Sequence, residues 1–291
     1  PVRLPESVYL EITSACNLAC PFCPPHTRKN EYMERERFVH VLASLAGKAR
    51  VLYFHLKGEP LLHPDFGEYL YLAGKAGFKV RITTNGTLLA EHAGELSHSS
   101  ALERLNISLQ SLSPFSEDEF NKTVHVVLDA VSAIATERTA GGGPFLASLR
   151  LWTRDNSAHT ARALAAIEAK FGLGAGSLAR TLASKNGATI APKIALHTAE
   201  TFTWPTLDGT DFGPSGFCRA LRDHAGILVD GTVVPCCLDG EGILALGNIF
   251  ESDWERILGS ARSQAIYRSF TERKITEPLC RRCGYRTRFG L

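Results

Sequence analysis

Cys16, Cys20 and Cys23 stand in the run Cys16-Asn-Leu-Ala-Cys20-Pro-Phe-Cys23, a C-x3-C-x2-C spacing. Three thiolates on one short loop can hold three irons of a cubane cluster. A four-iron cluster normally takes four cysteines, so the fourth iron is left open to a ligand from outside. The competing chemistry is a structural zinc site or a set of buried thiols. Zinc needs a fourth donor nearby, which His26 could supply.

A second group closes the chain: Cys218, Cys236, Cys237, Cys280 and Cys283, while residues 24–217 contain no cysteine. Two tight groups in a chain whose start, Pro-Val-Arg-Leu-Pro, carries no export signal favour metal ligation in a reducing compartment over disulfides. Cys218, Cys236, Cys280 and Cys283 could complete one four-iron cube, or hold one zinc as a ribbon does. Cys237 is then spare. It is a small buried hydrophobe beside the site, an alternative ligand, or a hydrogen-atom donor, since a thiol S–H bond is weak enough to quench a carbon radical.

The elements that must position these cysteines read as parallel βα units. β-rich runs at Val8–Thr13, Val51–Leu56, Lys79–Thr84, Arg104–Leu109 and Phe145–Trp152 alternate with helical periodicity. The helical stretches are Glu34–Ala49, Asp65–Ala76, Glu117–Ala135 and Ala158–Phe171. A sixth strand is expected near Thr189–Leu196, and Gly141-Gly-Gly-Pro144 reads as a turn ahead of the fifth. Five or six such units predict an α/β fold with a partial (β/α)6 barrel, too few for eightfold closure. A break near Thr201–Phe217 divides residues 1–200 from a smaller domain, 201–291. There Asp230-Gly231 between two β-rich arms signals a hairpin, and helical segments follow near Asp253–Leu258 and Ser263–Arg273.

In parallel βα folds the site lies at the C-terminal ends of the strands. Lys57-Gly58-Glu59-Pro60 ends the second strand, Thr83-Thr-Asn85-Gly-Thr the third, and Asn106-Ile-Ser108-Leu-Gln110 the fourth. On an extended fourth strand Ser108 and Gln110 share a face. Arg150 and Trp152 do so at the end of the fifth. An acceptor-rich turn such as Gly58-Glu59-Pro60 suits an ammonium group, a pure donor, and glycine lets the backbone come close.

With these motifs the chain resembles the radical S-adenosylmethionine (SAM) superfamily along most of its length. The resemblance implies that the iron left open at Cys16, Cys20 and Cys23 binds the amino and carboxylate groups of SAM. The reduced cluster then cleaves the sulfonium to a 5'-deoxyadenosyl radical. It places Phe22 near the adenine and the Gly58-Glu59-Pro60 turn on the SAM ammonium, with Asn85 facing the site. Lys57 stands where many relatives have a glycine. Ser108 and Gln110 are either contacts to the ribose or methionine carboxylate, or solvated strand ends. Arg150 is a clamp for the SAM carboxylate, a clamp for an acidic substrate group, or one half of a surface salt bridge. Lys57, His55 and Arg150 are candidate bases near the strand ends.

Cys218-x12-Gly231-x4-Cys236, closed by Cys280-Arg-Arg-Cys283, is similar to the auxiliary-cluster domains called SPASM and Twitch. The internal cysteine run of the larger SPASM form is absent, so the resemblance implies one auxiliary [4Fe-4S] cluster and two clusters in all. This single-cluster layout resembles that of the 2-deoxy-scyllo-inosamine dehydrogenases. Gly247-Asn-Ile-Phe250 and Trp254 fit the linker of this group. The implied reaction is hydrogen-atom abstraction from a small molecule of sugar, aminocyclitol or nucleoside type, with oxidation aided by the auxiliary cluster. The alternatives are an epimerase using Cys237, a peptide maturase forming crosslinks, and a non-enzymatic iron–sulfur carrier. The cysteine loop begins at residue 16, leaving no leader-binding domain ahead of it, which favours a small substrate.

Composition sets the remaining bounds. The 291 residues carry a net charge of +2, which gives no basic surface for nucleic acid. No apolar run approaches the roughly 18 residues that span a bilayer. The expected setting is the cytoplasm, with a reducing donor such as flavodoxin or ferredoxin.

Overall fold

Side-chain alternation builds the sheet from its first strand onward. In β1 (Ser7–Leu10) Val8 and Leu10 are fully buried, while Ser7 and Tyr9 turn to the other face. Helix α1 (Arg35–Leu45) follows, burying Phe38, Val41, Leu42 and Leu45. Then come β2 (Val51–Tyr53), α2 (Phe66–Lys75), β3 (Lys79–Thr84), α3 (Ala93–His98), β4 (Leu102–Ser108), α4 (Glu117–Ala140) and β5 (Leu146–Trp152). The chain continues through α5 (Ala158–Lys170), α6 (Ser177–Leu182), β6 (Gly187–Ala191) and β7 (Ile194–Ala199). β8 (His224–Ile227), β9 (Thr232–Val234), β10 (Gly247–Asn248), α7 (Trp254–Leu258), α8 (Ala261–Thr271) and α9 (Pro278–Arg281) complete it. This computed structural model describes residues 4–24, 27–152 and 158–290; His26 lies outside them.

The strands form one sheet in the order β10-β9-β8-β1-β2-β3-β4-β5-β7-β6. β1 to β5 and then β7 run parallel, each beside the next. These six parallel strands, with helices over one face, are the partial barrel expected. The helix-covered face is a continuous apolar core in which Phe38, Phe54, Phe66 and Tyr69 are wholly buried. Phe38 stacks on Tyr69 with centroids 4.1 Å apart, joining α1 to α2. Each such side chain contributes about 1.5–3 kcal/mol by burial. α4 starts on a capping box in which Ser116 and Glu119 satisfy each other's backbone N–H.

The opposite face is polar and aromatic. Tyr9 stacks on Tyr53 at 4.4 Å and meets His55 and His224 edge-on. Arg81 donates to the Tyr53 hydroxyl at 2.7 Å and pairs with Glu103.

The structure departs from the sequence reading in four places. The stretch Thr189–Leu196 is not one strand but the hairpin β6–β7, turning at Pro192-Lys193 with Lys193 at φ 59°. β4 stops at Ser108 and the chain winds into a 3-10 turn over Leu109–Leu112, so Gln110 leaves the strand face it was expected to share with Ser108. α3 and α6, each of six residues, were not anticipated. Finally, the C-terminal hairpin β8–β9 joins the barrel sheet itself, with β8 parallel to β1 in the register Ser7↔His224 to Leu10↔Ile227. Among the described residues no helix is long and apolar enough to cross a membrane.

Candidate functional site: two cysteine groups on one sheet

The loop that leaves β1 is held from below before it reaches its first cysteine. Glu11 is fully buried and accepts from three separate segments. Arg28 donates to its two oxygens at 2.7 and 2.9 Å, the Lys57 N–H at 3.3 Å, and the Val229 N–H at 3.0 Å. Ser14 and the backbone of Glu31 and Lys29 close the loop's base. Cys16 and Cys23 are exposed and Cys20 is half-buried, its Sγ 3.8 Å from the Ser111 carbonyl. Partial burial pushes the Cys16 and Cys20 thiols up, and neighbouring cysteine sulfurs add to it, so the three sulfurs sense one another.

The Lys57–Pro60 turn lies against this loop. Gly58 has φ +72°, and a Cβ there would sit 2.4 Å from the Thr13 carbonyl and 2.8 Å from that of Ala15. Only glycine permits that approach. The Glu59 N–H donates to the Ala15 carbonyl at 2.8 Å. The Glu59 carboxylate caps the short 3-10 turn begun by Pro60, accepting from the Leu61 N–H at 3.1 Å. Its other oxygen accepts from the Asn85 N–H at 2.7 Å. Burial pushes the Glu59 carboxyl up to about 7, against the pull of those N–H groups and the Thr84 hydroxyl. Asn85 in turn donates to Asn17 Oδ1 at 2.8 Å, beside Cys16, and accepts from Thr87.

Farther along the sheet, Ser108 pairs in register with Arg150, and Arg150 with His197. Burial holds the Arg150 guanidinium below its ordinary value, while Tyr9 and Tyr53 across the sheet favour its charge. Gln110 is buried with Oε1 unpartnered among the described residues. His55 is partly buried, and burial pushes it down to about 3, so it is neutral; its Nδ1 is likewise unpartnered among the described residues. Phe22 meets Trp152 edge-on at 4.5 Å, Trp152 faces Phe202 at 6.2 Å, and Phe202 faces Tyr285 at 5.1 Å. This aromatic row runs from the first cysteine loop to the last.

The second group assembles from three places. Cys218 precedes β8, Cys236 follows β9, Cys280 lies in α9 and Cys283 just beyond it, where the Cys283 N–H donates to the Cys280 carbonyl at 3.2 Å. Burial raises all four thiols, and Cys236 feels the charge of Cys237 most and then those of Cys218, Cys280 and Cys283. Arg286, 2% exposed, staples the group by donating to the carbonyls of Cys280, Ser215 and Gly213 at 2.9, 2.8 and 2.6 Å. Cys237 packs with Tyr9 against Leu56, Leu228 and Val234, and it also feels the charges of Cys283 and Cys218. Its thiol is hydrogen-bonded to Tyr9, and burial pushes it up to about 12.

The donor sets fit four-iron clusters. No three His, Cys, Asp or Glu side chains among the described residues converge tightly enough for a single ion. Sulfurs on separate irons of a cube stand farther apart than ligands around one ion. Three hubs escaped the sequence reading: Glu11, Arg28 and Arg286. The signal that could have found Glu11 was a carboxylate inside the apolar run Val8–Ile12.

Comparison with known proteins agrees with this arrangement. Residues 10–143 match the radical SAM superfamily, and residues 218–284 match SPASM, an iron-sulfur cluster-binding domain. Over 88 residues the chain is 39% identical to the tungsten-containing aldehyde ferredoxin oxidoreductase cofactor-modifying protein of Pyrococcus furiosus, which covers 29% of this chain and 25% of that protein. Among solved structures, BtrN in complex with AdoMet and 2-DOIA superposes with a TM-score of 0.62 at 16% identity, covering 96% of this chain and 93% of that one. Streptococcus suis SuiB bound to precursor peptide SuiA gives 0.58 at 15% identity, covering 97% and 71%. These likenesses establish the fold.

Proposed function

The chain belongs to the radical SAM superfamily and carries a SPASM-type iron–sulfur domain, and from that premise we propose that it abstracts a hydrogen atom from a small-molecule substrate and oxidises it. The bound group, a reduced [4Fe-4S] cluster with SAM, supplies the 5'-deoxyadenosyl radical; the protein supplies position and the exclusion of water. Cys16, Cys20 and Cys23 would hold that cluster. Gly58, Glu59 and Pro60 would shape the turn for the SAM ammonium, and Phe22 would lie beside the adenine. Asn85 ties the turn to the cysteine loop, and Ser108, Gln110 and Arg150 line the neighbouring strand ends. Cys218, Cys236, Cys280 and Cys283 would hold one auxiliary [4Fe-4S] cluster, an outlet for the substrate's electron. We divide the chain at 1–200 and 201–291 on this basis, and place it in the cytoplasm with a flavodoxin- or ferredoxin-like donor.

One observation carries the reading: β8 lies beside β1, so the hairpin that leads into Cys236 belongs to the sheet whose first strand feeds the three-cysteine loop, and an aromatic row from Phe22 through Trp152 and Phe202 to Tyr285 links that loop to the turn after Cys283. A carrier of iron–sulfur clusters would not need the Gly58–Glu59–Asn85 link. Anaerobic incubation of reconstituted protein with SAM and dithionite should yield 5'-deoxyadenosine, and none forming would refute the enzyme reading. Iron should reach about eight per chain, the sum of two four-iron cubes. Changing Cys16, Cys20 and Cys23 together to Ala should abolish cleavage and leave about four.

A second reading is favoured by one specific observation. Burial holds the Cys237 thiol protonated, and it packs beside Tyr9. It keeps its hydrogen there, as a donor to a substrate radical must, and epimerisation would follow. A peptide substrate is the third possibility, to be separated by product analysis.

A further inference from the structure

Lys57 is the residue by which this chain departs from the glycine expected at its turn, and its side chain is built into the cluster loop. Nζ lies 3.6 Å from Cys23 Sγ and donates to the Pro24 carbonyl at 2.5 Å. The ammonium also sits 5.5 Å from the centre of the Trp204 ring. The residue is 6% exposed. Its backbone N–H is tied to Glu11. Its stem threads past Gly240, where a Cβ would come within 2.8 Å of Lys57 Cγ and 2.9 Å of Cε. Gly240 is itself fixed, its carbonyl accepting from Arg28 Nε at 2.8 Å. A lysine immobilised along its whole length gives up its rotamer freedom. Among the described residues no carboxylate forms an ion pair with it. The nearby acid, Glu11, is already matched by Arg28.

The result is a fixed positive charge, desolvated and without a counter-ion, against the sulfur of one cluster cysteine. Charge and hydrogen bonds at the ligand sulfurs are principal determinants of an iron–sulfur potential. We propose that Lys57 is a positioning residue that raises the reduction potential of the three-cysteine cluster by stabilising its one-electron-reduced form. A relative with glycine at this place has no such charge to offer. The cluster of this chain therefore accepts its electron from a weaker external one-electron donor. The proposal rests on Cys16, Cys20 and Cys23 holding a four-iron cluster.

The test is a dithionite titration of the reconstituted full chain, followed by electron paramagnetic resonance with and without SAM. The SAM-sensitive signal belongs to the open cluster and the insensitive one to the auxiliary cluster. In Lys57→Met the SAM-sensitive midpoint should move to more negative potential while the other stays. Lys57→Arg, which keeps the charge, should return it toward wild type. If Lys57→Met takes up too little iron, Lys57→Gln carries the same expectation. An unmoved SAM-sensitive midpoint overturns the proposal, as does an equal shift of both signals, which would mark general loosening of the fold. A wild-type protein with no SAM-sensitive signal overturns the cluster assignment itself and the proposal with it, an outcome visible before any variant is made.

Discussion

Glu59 Oε2 accepts a 2.7 Å hydrogen bond from the backbone N–H of Asn85, and the Asn85 side chain then reaches Asn17 beside Cys16. The turn after β2, the end of β3 and the cysteine loop are thereby one unit. Asn85→Ala keeps the backbone bond to Glu59 but loses the bonds to Asn17 and Thr87. At about 1 kcal/mol per bond, the expected loss of stability is about 1–3 kcal/mol. SAM binding, read by titration calorimetry on reconstituted protein, should weaken while iron content holds.

The Glu59 carboxyl also sets a pH dependence. Its folded value of about 7 lies above the ordinary 4.5. Between those values the folded chain holds a proton that the unfolded chain has lost, so stability is full below the lower value and declines as pH rises through about 7. Urea midpoints between about pH 5.5 and 8 should show this decline, and Glu59→Gln should flatten it while lowering stability throughout, because the Leu61 and Asn85 N–H groups use separate carboxylate oxygens and an amide offers only one. An unchanged pH profile in Glu59→Gln would remove Glu59 as its source.

Gly58→Ala combines a left-handed backbone with a Cβ 2.4 Å from the Thr13 carbonyl. Strain of this kind costs about 1–3 kcal/mol for the backbone alone, and the clash adds to it. The variant should melt well below wild type and lose SAM binding even where it retains iron.

The sequence disclosed what local periodicity and cysteine spacing encode. β3 and β5 alternate over six and seven residues and fell where expected. The cysteine groups were legible because ligand spacing is itself a sequence property. The pairing of β8 with β1 was not, since Ser7 and His224 are joined by tertiary packing that no local pattern records. The β6–β7 hairpin was missed because its turn carries Lys193 at φ 59° in place of a glycine signal. Lys57 was read as a departure from a motif. Its reach to Cys23 depends on Gly240, far away in the chain, being bare.

Arg28→Ala should be among the most damaging changes outside the cysteines. It strands the Glu11 carboxylate, which is wholly buried, with only N–H donors for company. Breaking a buried pair by removing one partner costs about 3–5 kcal/mol. The double change Arg28→Ala with Glu11→Gln should recover part of that loss, because no buried charge remains. Chemical denaturation of the three variants gives the coupling directly; strict additivity would mean that Arg28 acts through Gly240 alone.

Cys237 decides between oxidation and epimerisation. Its thiol is pushed up to about 12, so it stays protonated at any working pH and should resist iodoacetamide in the folded protein. It lies against Tyr9, whose ring stacks on Tyr53 and meets His55 edge-on. Cys237→Ala removes the hydrogen but little volume. If the substrate radical is oxidised, the variant should form 5'-deoxyadenosine and product at rates within a few-fold of wild type. If the radical is quenched by Cys237, 5'-deoxyadenosine should still form while product disappears. Solvent deuterium would then appear in the wild-type product at the attacked carbon, delivered through the exchangeable S–H. Product from the variant together with no deuterium in wild type would reduce Cys237 to a packing residue beneath Tyr9.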